Sequence, residues 1–208
     1  MLVKTDVVST YNIEKNCFFT FIKETERLYN HRGNAYHNFK HAITVMNSCY
    51  RFLKVDLVKE LFLEIGISAF MFGSLMHDID HTSRNNMFEI NSYSHLAITY
   101  NDDSVLENHH AATAFEVLKK KGCNIFQNMD PSEFPLFRQY VIHGILSTDI
   151  KKHFGDIKFF KERLDDGDFN PQEGDDSTED FLLLFGTLIH CSDLYVPTFD
   201  VDTSFKWS

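Results

Sequence analysis

Glycine and proline are scarce in this sequence, with 9 and 4 among 208 residues. A β-sandwich or a barrel of short strands needs many tight turns, which these two residues supply best. Their scarcity therefore favours an all-helical fold. The chain is 43% hydrophobic and contains 21 Phe, which is ample for one sizeable core, and its length fits a single domain.

Paired cysteine motifs are also missing. The four cysteines are Cys17, Cys49, Cys123 and Cys191. No two of them form a C-x-x-C pair, which favours reduced thiols in an intracellular protein. The start, MLVKTDVVSTYN, lacks the apolar core of a signal peptide. The longest apolar stretch, residues 61–76, includes Glu64 and is too short for a good membrane span. We predict a cytoplasmic protein without a membrane segment.

Positively charged residues are few. The chain has 20 Lys and Arg but 30 Asp and Glu, which gives a net charge of -10. A chain of this charge is repelled by nucleic acid and by anionic membranes, so neither is an expected partner. A small anionic substrate stays possible, since bound cations can reverse the local field. The sequence does not indicate an oligomeric state.

Helical periodicity accounts for most of the chain. It predicts an amphipathic helix over residues 12–30 and further helices over residues 36–53, 56–76 and 107–121. Short helical pieces and turns are expected over residues 86–102. Another helix is expected from about Ser132 through the segment that ends at Phe154, and a last one over residues 181–195.

The segment at residues 165–180, DDGDFNPQEGDDSTED, holds eight acidic side chains and two Gly. We interpret it as a solvated loop, because the ligand spacing of an EF-hand is absent. Ser177 followed by Asp180 is typical of a capping box that opens the last helix.

The segment FMFGSLMHDIDH, residues 70–81, places four titratable groups directly after a buried apolar helix. These groups are His77, Asp78, Asp80 and His81. Burying such groups without a partner costs about 2 to 7 kcal/mol each, so something must compensate them. A bound metal ion would do so.

Two further patterns point to the same ion. His37 and His41 are four residues apart, so on a helix they share one face. Asp193 follows a helix as apolar as the one before His77. Nitrogen and carboxylate oxygen donors together suit zinc, or zinc paired with a harder ion. Taken singly, each pattern is also explained by core histidines, a helix cap or a salt bridge. Together, the residues alone indicate a metal-dependent phosphohydrolase of the HD type.

The intervening residues resemble one family more specifically. The segments YHNFKHA, HDIDH, NDDSVLENHHAATAFEVL, STDIKKHF and HCSDL occur in the order and with nearly the spacing of the class I cyclic nucleotide phosphodiesterase catalytic domain. The resemblance covers the chain from about Tyr36 to Pro197. It implies an all-α bundle of helices around a binuclear metal site, within the HD-type phosphohydrolase fold.

The resemblance also implies a ligand set. The ligands of a tightly held metal, usually zinc, match His41, His77, Asp78 and Asp193. Asp78 also matches the bridge to a second ion, usually magnesium or manganese, which is otherwise coordinated mostly by water.

Other positions match residues around the metals. The positions that hold the metal-coordinated waters match His81, Glu107 and Thr148. His37 matches the general acid, and Tyr36 matches an aromatic residue that lines the pocket beside it. The implied function is hydrolysis of a 3′,5′-cyclic nucleotide, cAMP or cGMP, to the 5′-monophosphate in cyclic nucleotide signalling.

The chain departs from the family pattern in three places. The family often continues HDxDH with Pro-Gly, where this chain has Thr82 and Ser83. After Asp193 the family often reads Leu-Ser-Asn-Pro, where this chain has LYVP. The family domain also continues beyond Ser208 with the residues that grip the purine, so residues 1–208 are expected to be one catalytic domain, incomplete at the C-terminus and possibly at the N-terminus.

Two alternatives therefore stay open beside the enzyme. One is a non-catalytic fragment or pseudoenzyme that keeps the metal site and acts by binding a partner. The other is an HD-type phosphohydrolase with a different phosphate substrate. The sequence does not distinguish cAMP from cGMP, because the segment that grips the base is not in it.

Overall fold

The computed structural model describes residues 1–174 and 178–195, and this part of the chain is built from helices and turns without a strand. The all-helical prediction is confirmed. The helices are α1 (Val7–Thr10), α2 (Lys15–Asn30), α3 (Phe39–Phe52), α4 (Asp56–Lys59), α5 (Glu64–Met76), α6 (Asn86–Asn91), α7 (His95–Thr99), α8 (Val105–Lys119), α9 (Phe134–Leu146), α10 (His153–Asp166) and α11 (Thr178–Asp193). No helix in the described ranges combines the length and the apolar character needed to cross a membrane.

Helix α5 lies at the centre of the bundle. Every residue from Ser68 to Met76 is buried, and the helix packs against α3, α8, α9 and α11. Close helix packing explains one of the few glycines. A Cβ atom at Gly144 of α9 would lie 2.7 Å from side-chain atoms of Phe185 and Ile189 on α11. The consequence is that α9 and α11 pack closely against each other, and α9 packs against α5.

The abundant phenylalanines form the core around α5. One aromatic group joins α5 to α9 and α11, with the rings of Phe70 and Phe185 5.2 Å apart and those of Tyr140 and Phe181 also 5.2 Å apart. Fully burying one such side chain is worth about 1.5 to 3 kcal/mol. The core therefore fixes how α5 sits against the other long helices.

The helix predicted over residues 56–76 is two helices, α4 and α5, and that prediction is wrong at residues 60–63. The side chain of Glu173 enters the break. The backbone N–H of Leu63 donates to Oε2 of Glu173 at 2.5 Å, and the backbone N–H of Glu173 donates to the carbonyl of Leu61 at 3.0 Å. Glu173 therefore satisfies an N–H group at the start of α5 from a segment more than 100 residues away.

The acidic segment is also less solvated than the sequence predicts. Glu173 is buried, and so is Asp180, which accepts hydrogen bonds from Arg163 at 2.9 and 3.0 Å and from the backbone of Asn170 at 3.0 Å. The predicted capping box at Ser177 lies outside the described residues.

Two other helix boundaries differ from the prediction. The helix expected from Tyr36 begins at Phe39, because the side chain of Asn38 accepts from the backbone N–H groups of Lys40 and His41 and caps the helix. His37 therefore precedes the helix instead of sharing its face with His41. The helix expected from Ser132 through Phe154 ends at Leu146, and the chain turns through a 3₁₀ segment, Ile150–Lys152, into α10.

Glu173 generates a prediction for the pH dependence of stability. Burial raises the pKa of its carboxyl to about 7, so the folded chain binds more protons than the unfolded chain between about pH 4.5 and 7. This group therefore lowers stability as the pH rises through that range. Glu173→Gln should remove the effect and gain about 1 to 3 kcal/mol of unfolding free energy relative to the natural chain between pH 5 and pH 8.

The measurement is urea denaturation of both chains at pH 5, 6.5 and 8. Glu60→Gln is the matched control, since Glu60 lies in the same break between α4 and α5 and is exposed. Parallel pH profiles for the natural chain and the Glu173 variant would contradict the prediction.

Candidate metal centre

Four side chains that span more than 150 residues of sequence meet at the ends of three apolar helices. His41 lies on α3, His77 and Asp78 follow the end of α5, and Asp193 is the last residue of α11. Nε2 of His41 lies 3.0 Å from Oδ1 of Asp193, 3.2 Å from Oδ2 of Asp78 and 3.2 Å from Nε2 of His77. Nε2 of His77 lies 3.2 Å from the same oxygen of Asp78 and 3.3 Å from that of Asp193.

These separations are those of ligand atoms around a single ion. Donor atoms about 2.0 to 2.1 Å from a zinc ion lie about 3.3 Å apart in a tetrahedron and about 2.9 Å apart in an octahedron. Two imidazole nitrogens and two carboxylate oxygens are also a donor set that zinc accepts. The residues present therefore fit a divalent metal ion in both distance and chemistry, and together they could hold one.

Backbone contacts orient the ligand nitrogens. Nδ1 of His77 lies 2.9 Å from the carbonyl oxygen of Ser74, and only a protonated nitrogen can make this hydrogen bond. The proton is then on Nδ1, which leaves the lone pair of Nε2 directed at the cluster. His110 has the same arrangement, with Nδ1 2.7 Å from the carbonyl of Ile79 and Nε2 3.7 Å from Oδ1 of Asp78.

The buried phenol of Tyr29 fixes the end of α5, where the ligands begin. Its hydroxyl donates to the carbonyl of Leu75 at 2.8 Å and accepts from the backbone N–H of Asp78 at 3.1 Å. Two backbone groups freed at the helix terminus are thereby satisfied. The sequence shows Tyr29 only as one more residue on the apolar face of α2, so this role could not be found from the pattern.

Asp80 is the one acidic residue of HDIDH that turns away from the cluster. Its backbone has φ 59°, and its carboxylate lies 3.0 Å from Nε of Arg32, 3.1 Å from Nε2 of His31 and 2.9 Å from Nε2 of His109. Burial disfavours the charged form of Asp80, but these partners outweigh burial and hold the pKa well below its usual range. Asp80 therefore ties the ligand loop to α2 and α8.

The charge of the cluster calls for a cation. The ion pairs that the structure shows for Asp78 and Asp193 come from histidines. Burial disfavours both carboxylates, but the attraction of His77 and hydrogen bonds from both imidazoles hold their pKa values well below the usual range. A buried carboxylate and a half-buried one that stay ionised beside imidazoles are an environment in which a divalent ion replaces protons.

The cluster opens into a cleft of about 650 Å³. Besides Asp78 and Asp193, the sequence-predicted residues on its wall are His37, His81, Glu107 and Thr148. The structure therefore brings these positions to one cavity. Tyr36 packs beside it, with its ring centroid 4.9 Å from that of His37 and 4.9 Å from that of His41.

Polar groups that the sequence analysis did not single out also line the cleft. Arg84, Asn85, Asn86 and Lys151 are among them. Nδ2 of Asn86 donates to Oε2 of Glu107 at 2.9 Å, and burial raises the pKa of that carboxyl to about 7. These residues belong to short helices and turns without a strong periodic signal, which is why pattern reasoning missed them.

A comparison with known protein families agrees with the motifs and with the fold. The family model of 3′5′-cyclic nucleotide phosphodiesterase matches residues 36–208. The chain belongs to this family. The human high affinity cGMP-specific 3′,5′-cyclic phosphodiesterase 9A is 35% identical over 178 residues, which are 86% of this chain and 29% of the relative.

A second relative is named for a different substrate. The probable 3′,5′-cyclic-AMP phosphodiesterase pde-4 of Caenorhabditis elegans is 33% identical over 211 residues, covering 100% of this chain and 31% of that protein. The chain thus spans about three tenths of the length of these two family members.

Solved structures of the family have the same fold. The crystal structure of the phosphodiesterase domain of the RhoPDE fusion protein from the choanoflagellate Salpingoeca rosetta matches with a TM-score of 0.92 and 33% identity. The match covers 99% of this chain and 63% of that one. The predicted family and the predicted all-α fold are both confirmed.

The geometry generates a prediction for metal binding. His77→Ala or Asp193→Ala should abolish tight zinc binding, because each removes one of four donors that meet at one point. Zinc at a hundred times its Kd should stabilise the natural chain by about 2.7 kcal/mol and neither variant. Isothermal titration and metal analysis after dialysis measure the binding, and thermal unfolding measures the stabilisation.

The control for this experiment is His95→Ala, an exposed histidine on α7. It should bind zinc as the natural chain does. Equal zinc content in the natural chain and the His77 and Asp193 variants would show that the cluster is a network of hydrogen bonds and not a metal site.

Proposed function

We propose that this chain hydrolyses a 3′,5′-cyclic nucleotide to its 5′-monophosphate. The observation that carries the proposal is the meeting of four ligand atoms, each 3.0 to 3.3 Å from its neighbours, at the wall of a cleft in a member of this family. The relatives include one named as a cGMP-specific enzyme and one named as a probable cAMP enzyme, so the proposal covers both bases.

The metal assignment is part of the proposal. His41, His77, Asp78 and Asp193 hold a tight ion, which we assign as zinc. Asp78 would also contribute to a second site for magnesium or manganese, because its other oxygen lies 3.7 Å from Nε2 of His110 in a second group of potential ligands that includes His81. Two divalent ions bound at these residues would neutralise the charge of the phosphate and would lower the pKa of a water molecule at the site.

The residues around the ions have separate tasks in this mechanism. Glu107, His81 and Thr148 line the cleft beside Asp78 and hold water by hydrogen bonds. The hydroxyl of Thr148 donates to the carbonyl of Ile145 at 2.7 Å, so its oxygen can take part with water only as an acceptor. Burial lowers the pKa of His81 to about 4, which keeps its imidazole neutral and able to accept or donate one hydrogen bond at each nitrogen.

His37 is the proposed general acid. It lies on the cleft wall outside the ligand cluster, where its imidazole can give a proton to the leaving O3′. Burial lowers the pKa of His37, and the negative charge of Asp78 opposes this effect. A phosphate anion bound in the cleft adds negative charge, which favours the protonated form that the reaction needs.

The second candidate is metal binding without turnover. The observation in its favour is that the four donor atoms of the cluster lie together in the folded chain and could hold an ion without any substrate. The family match favours a cyclic diester over another phosphate substrate of the HD-type enzymes.

The test is an assay of the chain against cAMP and cGMP with zinc and magnesium supplied. His37→Ala should keep its zinc and lose about 10² to 10⁴-fold in turnover, the usual contribution of a general acid. Asp193→Ala should lose zinc and turnover together, and His95→Ala should lose neither.

The outcomes separate the two candidates. Turnover that depends on His37 and Asp193 supports the hydrolase. Zinc binding without turnover of either nucleotide supports the second candidate, and equal turnover by the His37 variant would remove His37 from the mechanism.

A further inference from the structure

The amide of Asn34 joins the two loops that carry His37 and His81. Asn34 is buried and precedes α3, on the segment that leads to His37. Its Nδ2 donates to the carbonyl of His37 at 3.1 Å and to the carbonyl of His81 at 2.8 Å. Its Oδ1 accepts a hydrogen bond from the hydroxyl of Ser83.

The orientation of this amide is set by its partners. Two carbonyl oxygens can accept only from the NH₂ end, and the hydroxyl of Ser83 satisfies the oxygen end. Both donors and an acceptor site of the side chain are thus used within one loop cluster. A side chain satisfied in this way restrains the backbone at both histidines.

The two histidines that Asn34 links also pack against each other. Their ring centroids lie 3.9 Å apart with an interplanar angle of 11°. The backbone N–H of Ser83 donates to Nδ1 of His81 at 3.0 Å, so the remaining proton of neutral His81 is on Nε2. The described contacts of the His37 ring are with other rings, those of Tyr36, His41 and His81.

Two hydroxyl side chains next to His81 occur where this sequence departs from the pattern that is frequent in its family. Thr82 and Ser83 stand at the positions of the frequent Pro-Gly. The hydroxyl of Thr82 donates to Oε1 of Glu89 at 2.7 Å, and Ser83 has φ 64°, a conformation that favours glycine. A serine kept in this conformation contributes a hydrogen bond that a glycine could not make.

We propose that Asn34 and Ser83 are positioning residues for the reaction, which hold the imidazole of His37 against that of His81 at the cleft wall. Asn34 is buried and is not among the residues that line the cleft, whereas Ser83 lies on the cleft wall beside His81. The inference rests on the proposed function, since it concerns the orientation of the proposed general acid. A proton donor displaced by about 1 Å can lose about 10²-fold in rate, so restraint of this ring matters for turnover.

Two variants remove different parts of the linkage. Ser83→Gly keeps the left-handed backbone and removes only the hydroxyl. Asn34→Asp keeps the shape and the acceptor of the side chain but removes both donors. The matched control is Asn101→Gly, which replaces another exposed residue of positive φ, 53°, away from the histidines.

The first measurement is independent of catalysis. In the natural chain, NMR should show nuclear Overhauser contacts between the ring protons of His37 and His81, together with upfield shifts from ring stacking. Both signals should weaken or vanish in Ser83→Gly and Asn34→Asp and persist in Asn101→Gly. Persistence of both signals in the two test variants overturns the inference.

The second measurement compares two substrates with zinc content verified. On the cyclic nucleotide, kcat of the two test variants should fall about 10-fold to 10²-fold with KM little changed. On bis(4-nitrophenyl) phosphate, whose leaving group is stable without a proton, kcat should be nearly unchanged. Equal losses on both substrates would mean that the pair supports folding only, which also overturns the inference.

Failure of the proposed function would look different. A natural chain that turns over neither diester contradicts the hydrolase assignment, while the ring contacts in the NMR spectra still decide whether Asn34 and Ser83 position His37.

Discussion

The structure depends on the burial of two carboxylates and two imidazoles at one point. Taking these groups out of water is costly unless they are paired or bound to an ion. The chain brings these groups together at the first turn of α3 and at the ends of α5 and α11, with the donor atoms 3.0 to 3.3 Å apart. The aromatic packing of α5 against α9 and α11 fixes where those helices end, so the core and the metal centre are aspects of one arrangement.

The polar residues of HDIDH divide into two groups with opposite tasks. His77 and Asp78 face the cluster, and His81 faces the cleft beside it. Asp80 reverses direction through a positive φ and binds Arg32, His31 and His109 instead. A run that looks like a single ligand motif is therefore divided between residues of the cluster that could hold a metal ion and an anchor, Asp80, that connects this loop to α2 and α8.

The sequence predicted the residues that meet at the cleft because each is a polar group in a place where polarity is costly. His77 and Asp193 stand out after apolar helices, and the motif HDIDH stands out by its density. Tyr29 and Asn34 escaped notice because their roles depend on backbone atoms that only the folded chain brings within reach. Two predicted helix boundaries were wrong for the same reason. Glu173 accepts a hydrogen bond from a backbone N–H group at the start of α5 although it belongs to a distant segment. The cap formed by Asn38 makes α3 begin after His37.

The ligand set has a consequence for the order of folding. His41 and Asp193 are separated by more than 150 residues, so the cluster is among the contacts of longest range in the chain. The entropy of closing a loop rises only with the logarithm of its length, but folding rates fall as the mean range of contacts grows. During synthesis, α3 and α5 emerge long before Asp193, so a nascent chain carries an incomplete charge cluster until α11 has been made. The cluster is thus completed late, when α11, from the last part of the sequence, packs against the helices from its first part.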